Sequence, residues 1–132
     1  MKALTLTQPW ASLVAIGAKS YETRSWGTTY RGPLAIHAAA SFPVWAREFG
    51  EVLADEHPRL WRPGALPRGA VVATCRLVEV VRCTIDSPVL PRGEQLLGDF
   101  APGRFAWRLE EVVLVDPAVP AKGALGLWEW NR

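Results

Sequence analysis

The apolar and polar positions along the chain predict a fold dominated by β-strands. Short runs that alternate, or that are apolar on both faces, are bounded by glycine, proline and threonine, which is typical of strands separated by turns. The run GAVVATCRLVEVVRCTI, residues 69–85, is apolar on both faces and is typical of a central strand. The other predicted strands cover residues 2–7, 19–26, 33–39 and 104–117, and turns lead into a short strand at the end of 117–130.

Residues 7–17, TQPWASLVAIG, predict a first helix. Pro9 falls in the first turn, where proline is tolerated, and Gly17 ends the helix. Thr7 or Gln8 is the predicted cap. The apolar face consists of Trp10, Leu13 and Val14.

Residues 41–58 predict a second helix, which Ser41 can cap and which ends before Pro58. Its bulky apolar residues recur at the spacing of one helical face. We therefore expect that face to pack on the core, and we assign Trp45 to the core rather than to a site. The face consists of Trp45, Phe49, Val52 and Leu53.

These elements predict one domain over residues 1–132, since the length fits a single core and no repeat or linker is visible. Strands in series joined by turns favour a small closed or half-open barrel. The predicted fold class is therefore α+β, a mixed β-barrel decorated by two main helices.

The predicted strand 19–26 is unusual because it lacks an aliphatic face, which a strand that closes a core should offer. It lies within GAKSYETRSW, residues 17–26. A half-exposed edge strand with a Glu22–Arg24 surface pair, worth well under about 1 kcal/mol, explains the pattern. A binding site explains it as well. By alternation, one face carries Ser20, Glu22, Arg24 and Trp26, and the other carries Lys19, Tyr21, Thr23 and Ser25.

Charge and composition add two points. The formal net charge of +2 is compatible with an anionic or nucleic-acid ligand, but it argues against tight nonspecific binding to duplexes. Only three of the 15 basic residues are lysines. Because most basic residues of this chain are arginines, a lysine can mark a position that needs a compact ammonium group. Lys19 and Lys122 are therefore candidate site residues.

Several classes of protein are not expected. The sequence contains no run of 18 apolar residues, so no membrane span is expected. The N-terminus lacks a long apolar signal core, and we therefore expect a cytoplasmic protein. Cys75 and Cys83 lie on one predicted strand, about 26 Å apart, far beyond disulfide reach. His37 and His57 lie in dissimilar contexts and form no metal cluster, and no phosphate-binding glycine loop is present. No metal or cofactor is therefore expected.

The segment QPWASLVAIGAKSYETRSW, residues 8–26, followed by YRGPLAIHAA, residues 30–39, resembles the ASCH domain family. The segment FAWRLEEVVLVDPAVPAKGALGLWEW, residues 105–130, resembles the end of bacterial members, so the resemblance covers nearly the whole chain. The hallmark of the family is the motif G-x-K-x-x-E-x-R, matched here by Gly17, Lys19, Glu22 and Arg24.

The resemblance implies a PUA-like β-barrel, with the motif in a cleft between the barrel and the first helix, and RNA binding as the usual role. Some small bacterial members are similar to amidohydrolases that act on N4-acetylated cytidine. In those members a lysine is paired with a threonine nucleophile three residues later. Here Lys19 matches the lysine, but Glu22 occupies the place of the nucleophile.

A nucleotide-like ligand needs an aromatic plate, hydrogen-bonding groups for the base edge and cations for phosphate. Four tryptophans are candidate plates, Glu22 suits an exocyclic amine, and Lys19 and Arg24 suit phosphate or a base carbonyl. His37 lies in an aliphatic strand, where a histidine is commonly a hydrogen-bonded core residue, and is kept as a candidate. The candidate ligand-binding residues are Trp10, Lys19, Glu22, Arg24, Ser25, Trp26, His37, Trp107, Lys122 and Trp128.

Three functions stay open. The leading interpretation is a stand-alone ASCH module that binds RNA or a nucleotide-like ligand. The second is a small hydrolase, an amidohydrolase or a ribonuclease, with Lys19 and Glu22 as catalytic residues and Glu94 or Asp99 as a remote acid. The third is a protein-interaction module.

Overall fold

A computed structural model describes residues 1–131 of the chain. It contains one six-stranded sheet, three helices and a single 3-10 turn at Pro63–Ala65. The strands are β1 (Lys2–Leu6), β2 (Tyr21–Arg24), β3 (Gly32–Ala38), β4 (Ala70–Arg82), β5 (Phe105–Pro120) and β6 (Leu127–Glu129). The helices are α1 (Trp10–Ala15), α2 (Val44–Glu56) and α3 (Arg92–Gln95).

The sheet is mixed and has the order β2-β5-β4-β3-β1-β6. Strands β1 and β3 are parallel, and all other neighbours are antiparallel. The long β4–β5 pair contains three register shifts, which increase local twist and bend the strands. The result is a half-barrel with helices, which confirms the predicted α+β class. Strand β2 is an edge strand, which agrees with one of the two interpretations that the sequence left open.

Helix α1 packs against the sheet and delivers the chain to β2. Leu13 and Val14 are fully buried. The left-handed conformation of Gly17, with φ of 80°, turns the chain so that the amides of Ala18 and Lys19 both donate to the Leu13 carbonyl. Gly17 thus ends the helix, as predicted, and the helix is shorter than residues 7–17 mainly because it begins only at Trp10.

The predicted caps fare differently. At α1, Gln8 Oε1 accepts the Ser12 amide at 3.0 Å, so Gln8 satisfies one of the free amides at the start of the helix. Thr7 contributes its carbonyl instead of its side chain. At α2 the prediction is wrong: the helix begins at Val44 after Pro43, and Ser41 lies too far upstream to cap it.

The predicted core face of α2 is also wrong. Trp45, Phe49 and Val52 are 63%, 36% and 56% exposed, and of the four only Leu53 is buried. The reason is a close approach at Gly50, where an added Cβ would lie 3.3 Å from Pro63 and 3.7 Å from Pro9. The helix therefore packs mainly through small residues together with Leu53, and Trp45, Phe49 and Val52 turn outward. Its buried residues are Ala46, Gly50, Leu53 and Ala54.

Cys75 and Cys83 are free and buried, as predicted, and burial raises the pKa of Cys75 to about 12. None of the helices within residues 1–131 has the length and apolar character needed to cross a membrane.

Candidate ligand-binding cleft

A cleft of about 840 Å³ opens beside β2. The end of β1, helices α1 and α2, strand β2 and the segment after α3 all contribute to its walls. It lies within the range of volumes typical of small-molecule and cofactor sites. Its lining comprises residues 5–7, 22–26 and 96–99, together with Trp10, Lys19, Trp45, Phe49 and Arg104.

Lys19 is 1% exposed, yet it lines the cleft. Its Nζ donates to the Leu97 carbonyl at 2.7 Å and lies 4.0 Å from Glu22 Oε1. The strand alternation placed Lys19 and Glu22 on opposite faces, which is wrong. Because β2 begins only at Tyr21, the alternation of side chains in a strand does not apply to Lys19. The Lys19 side chain therefore reaches the same cavity as Glu22.

Glu22 lies between two cations. Its Oε2 is 3.0 Å from Arg24 Nη2, and its Oε1 accepts the Thr23 amide at 3.1 Å. The residue is only 9% exposed, so the Glu22–Arg24 pair is not the solvated surface pair that the simplest interpretation of the sequence gave. A buried carboxylate held in this way presents its remaining lone pairs in a fixed direction.

Arg24 connects β2 to β1. Its Nη2 also donates to the Thr5 carbonyl at 2.6 Å. Its Nε is buried and has no hydrogen-bond partner among residues 1–131. The guanidinium has five donors, so the side chain keeps hydrogen-bonding capacity for a ligand in the cleft.

Aromatic rings form one wall of the cleft. Trp10 lies 5.5 Å from Trp45 and is stacked 5.8 Å from Phe49, measured between ring centroids. Trp45 was assigned to the core, and this assignment is wrong, because its ring is exposed and lines the cleft. Trp26 lines the cleft near β2.

Trp107 is not an available plate. It is 0% exposed, packs edge-on against Trp26 at 4.9 Å and donates its Nε1 hydrogen to the Trp26 carbonyl at 3.3 Å. A ring without an open face cannot stack on a ligand. The prediction that Trp107 contacts the ligand is therefore wrong: Trp107 is a core residue that supports Trp26.

His37, Trp128 and Lys122 do not line the cleft in the described chain. His37 is buried: its Nε2 donates to the Ala121 carbonyl at 2.7 Å, and in the neutral ring its Nδ1 accepts the Thr5 hydroxyl at 3.1 Å. Trp128 Nε1 donates to Thr5 Oγ1 at 3.0 Å. These two residues therefore lie behind Thr5, whose carbonyl binds Arg24. Lys122 is exposed in the neighbouring segment.

Gly123 packs closely against His37 and Thr5 and leaves no room for a side chain. A Cβ there would lie 2.7 Å from both His37 and Thr5. We expect Gly123→Ala to lower the free energy of unfolding by about 2 kcal/mol through overpacking and to shift Thr5 beneath Arg24. Urea unfolding measures the loss. Gly64→Ala, where an added Cβ meets open space, is the control, and an equal effect of the two variants would contradict the prediction.

Two carboxylates near the cleft have distinct roles. Glu94 Oε1 accepts the amides of Ser20 and Tyr21 at 3.0 and 2.9 Å, so it anchors the start of β2 outside the cleft. Asp99 lines the cleft beside Arg104, with 3.5 Å between Oδ2 and Nε.

Ser25 is exposed and lines the cleft too. Residues 1–131 contain no group of three or more His, Cys, Asp or Glu placed to hold a metal ion.

Sequence reasoning missed several cleft residues. Trp45 and Phe49 were assigned to the core because their helical spacing is the same whether a face is buried or lines a cleft. The one available signal was Gly50, a small residue that permits close helix packing on the opposite side. Leu97 and Arg104 come from a segment with no motif, so nothing in the sequence pointed to them.

The ionisation of Lys19 gives a second prediction. Burial lowers its pKa below the ordinary 10.5, and Glu22 and Glu94 partly offset this. Between the lowered pKa and 10.5 the unfolded chain binds the proton more tightly, so stability should rise as pH increases through this window. Urea unfolding from neutral pH to 10.5 should show this rise in the wild type relative to Lys19→Met. Parallel profiles would contradict it.

Comparison with known proteins agrees with the motif. The family model for the ASCH domain matches residues 4–95, well over half of the chain. Activating signal cointegrator 1 from Homo sapiens is 52% identical over 82 residues, which cover 58% of this chain and 14% of that protein. The match includes the motif and α2, and the six-stranded half-barrel with its helices is consistent with the PUA-like fold of the family. The chain therefore belongs to the ASCH domain family.

Proposed function

We propose that this chain binds single-stranded RNA, or a nucleotide-like ligand, in the cleft beside β2. The observation that carries the proposal is the meeting of two kinds of surface in one cavity. Lys19, Glu22 and Arg24 lie together at one side, and the rings of Trp10 and Trp45 form another. Nucleotide recognition needs this combination of a stacking surface and fixed polar groups.

The chemistry of each group supports a defined role. A base stacks on the exposed ring of Trp45, and the Glu22 carboxylate accepts a hydrogen bond from an exocyclic amine. Lys19 and Arg24 donate to a base carbonyl or to a phosphate. Arg104, opposite Asp99, is a further cation in the lining.

The charges of the cleft favour a ligand with few phosphates. The three cations Lys19, Arg24 and Arg104 are balanced by Glu22 and Asp99, which leaves an excess of one positive charge. Each phosphate neutralised on a single strand contributes about −0.7 to the slope of log affinity against log salt. We therefore expect a shallow slope of about −1, much weaker than for proteins that track a long backbone.

The test is a titration with single-stranded RNA, followed by tryptophan fluorescence at two salt concentrations. We expect quenching in the wild type with the shallow salt slope, and a loss of affinity in Lys19→Met. Arg31→Met, which removes an exposed cation outside the cleft lining, is the control and should leave affinity unchanged. Absence of both quenching and saturable binding would contradict the proposal.

A hydrolase is the second candidate, favoured by one observation. A buried lysine of lowered pKa beside a carboxylate in a cleft is typical of catalytic sites. Incubation with N4-acetylcytidine and with short RNA, comparing wild type with Lys19→Ala, tests it. Product that forms in the wild type and is lost in the variant supports catalysis at this site. Absence of product, or product from both proteins, contradicts it.

A further inference from the structure

A second cavity, of about 530 Å³, adjoins the cleft between α2 and α3. The two cavities share Phe49, Leu96 and Leu97, so they meet at a common boundary. Leu96 is exposed there, and Phe49 is half-exposed. A ligand that extends from the cleft into the second cavity would cross this boundary.

The outward face of α2 borders both cavities. Trp45 lines the cleft, Phe49 lines both cavities and Val52 lines the second. These residues are seven positions apart from first to last, a rise of about 10 Å along the helix. The residues that the sequence pattern assigned to the core thus line the two cavities in succession along α2.

The second cavity differs from the cleft in its charges. Its described lining contains the carboxylates of Glu56 and Glu94, together with His57, and includes no lysine or arginine. A phosphate would face negative charge without a compensating cation. A flat group with hydrogen-bond donors fits better, because carboxylates only accept hydrogen bonds.

We propose that the second cavity binds the neighbouring base of a single-stranded dinucleotide or longer RNA and favours a base with an exocyclic amine over uracil. Cytosine N4 is such an amine, and a carboxylate is its natural acceptor. Glu56 is the assigned acceptor, because two backbone amides hold the Glu94 side chain at the start of β2, whereas the exposed Glu56 carboxylate lines the cavity with both oxygens available. The inference rests on the proposed RNA binding in the cleft.

Gly93 offers a way to close only the second cavity. It lines that cavity and not the cleft, and an added Cβ there meets open space. The Cβ of Gly93→Leu therefore meets no neighbour, and we expect the leucine side chain to occupy part of the second cavity. Gly64 also has open space around its Cβ position but lines neither cavity, which makes Gly64→Leu the matched control.

The experiment measures binding of cytidine monophosphate and of the dinucleotide CpC to the three proteins. We expect the wild type to bind CpC at least about tenfold more tightly, since stacking of one base supports such a gain. Gly93→Leu should bind CpC no better than the mononucleotide, and Gly64→Leu should match the wild type. Equal affinities of the wild type for both ligands would overturn the second subsite and leave the cleft intact. No binding of either ligand would overturn the proposed function itself.

Base preference is tested with CpU, UpC and UpU. In the wild type, one position should favour cytosine over uracil in a manner that depends on Glu56. Glu56→Gln should abolish that preference, because an amide can both accept from cytosine and donate to uracil. Glu48→Gln, a second exposed glutamate of α2 outside both cavities, should preserve it. An unchanged preference in Glu56→Gln would overturn the assignment of Glu56.

Discussion

Replacement of Glu22 by glutamine is expected to lower the free energy of unfolding by about 3 kcal/mol. The carboxylate lies 3.0 Å from the Arg24 guanidinium and 4.0 Å from the Lys19 ammonium. Lys19 is almost completely buried. Loss of the negative charge leaves the two cations close together with no carboxylate between them, and an uncompensated buried charge is strongly destabilising. Equilibrium unfolding in urea measures the loss.

A surface pair provides the control. Glu79 lies 3.9 Å from Arg108, and both side chains are well exposed. Glu79→Gln should therefore cost less than about 1 kcal/mol. The double variant Glu22→Gln/Lys19→Met should recover part of the loss, because it removes the cation that glutamine leaves unpaired. Equal losses in the two glutamine variants, or no recovery in the double variant, would contradict the buried ion triad.

The sequence alone could predict the fold class and the strand that carries the motif. Strands 2–7, 33–39 and 69–85 have periodic apolar residues that must face a core, and they correspond to β1, β3 and β4. The lack of an aliphatic face in β2 allowed either an edge strand or a binding site, and the structure shows an edge strand that lines the cleft. These predictions succeeded because local patterning and burial agree in those segments.

The resemblance to the ASCH family implied that Lys19 and Glu22 share a cleft, but strand alternation could not predict their approach, because it depends on where extended backbone begins. Alternation holds only inside a strand, and β2 begins two residues after Lys19. The turn at Gly17 and the hydrogen bonds of Glu94 to the Ser20 and Tyr21 amides set that boundary. Glu94 is distant in sequence, so no local pattern contains the information.

The choice of aromatic residues shows the same limit more sharply. Tryptophan at a strand or helix position says that a large ring must be placed, but not which side of it stays open. Trp107 is a core residue because it packs beneath Trp26 and donates to the Trp26 carbonyl. Trp45 lines the cleft because α2 packs on the core at Gly50, on the other side of the helix. Both outcomes depend on tertiary contacts between segments far apart in the chain.

The family match also leaves part of the site to this chain's own sequence. The ASCH model matches residues 4–95, whereas Leu97, Asp99 and Arg104 follow it. The Leu97 carbonyl accepts from Lys19, and the Asp99 amide donates to Thr23 at 3.2 Å. The motif therefore supplies Lys19, Glu22 and Arg24, whereas the segment after α3 forms one wall of the cleft and adds Asp99 and Arg104.

Truncation of Trp45 should give the largest change in RNA affinity at the smallest cost in stability. The ring is 63% exposed and lies 5.5 Å from Trp10, so little of its area stabilises the fold. Stacking of a base on such a ring contributes about 1–3 kcal/mol. We expect Trp45→Ala to weaken binding of single-stranded RNA by about tenfold or more, and Trp45→Phe to retain most of it because a flat ring remains.

Trp61 separates stacking in the cleft from a general effect of losing a tryptophan. It is exposed but lies outside the linings of both cavities, so Trp61→Ala should leave RNA affinity unchanged. Binding is best followed by fluorescence anisotropy of labelled RNA, because that signal does not depend on the tryptophans that are removed. If Trp45→Ala and Trp61→Ala bind RNA equally well, the ring of Trp45 does not stack on the bases. RNA binding would then have to rest on the charged residues beside β2 and on the other rings of the lining, Trp10 and Trp26.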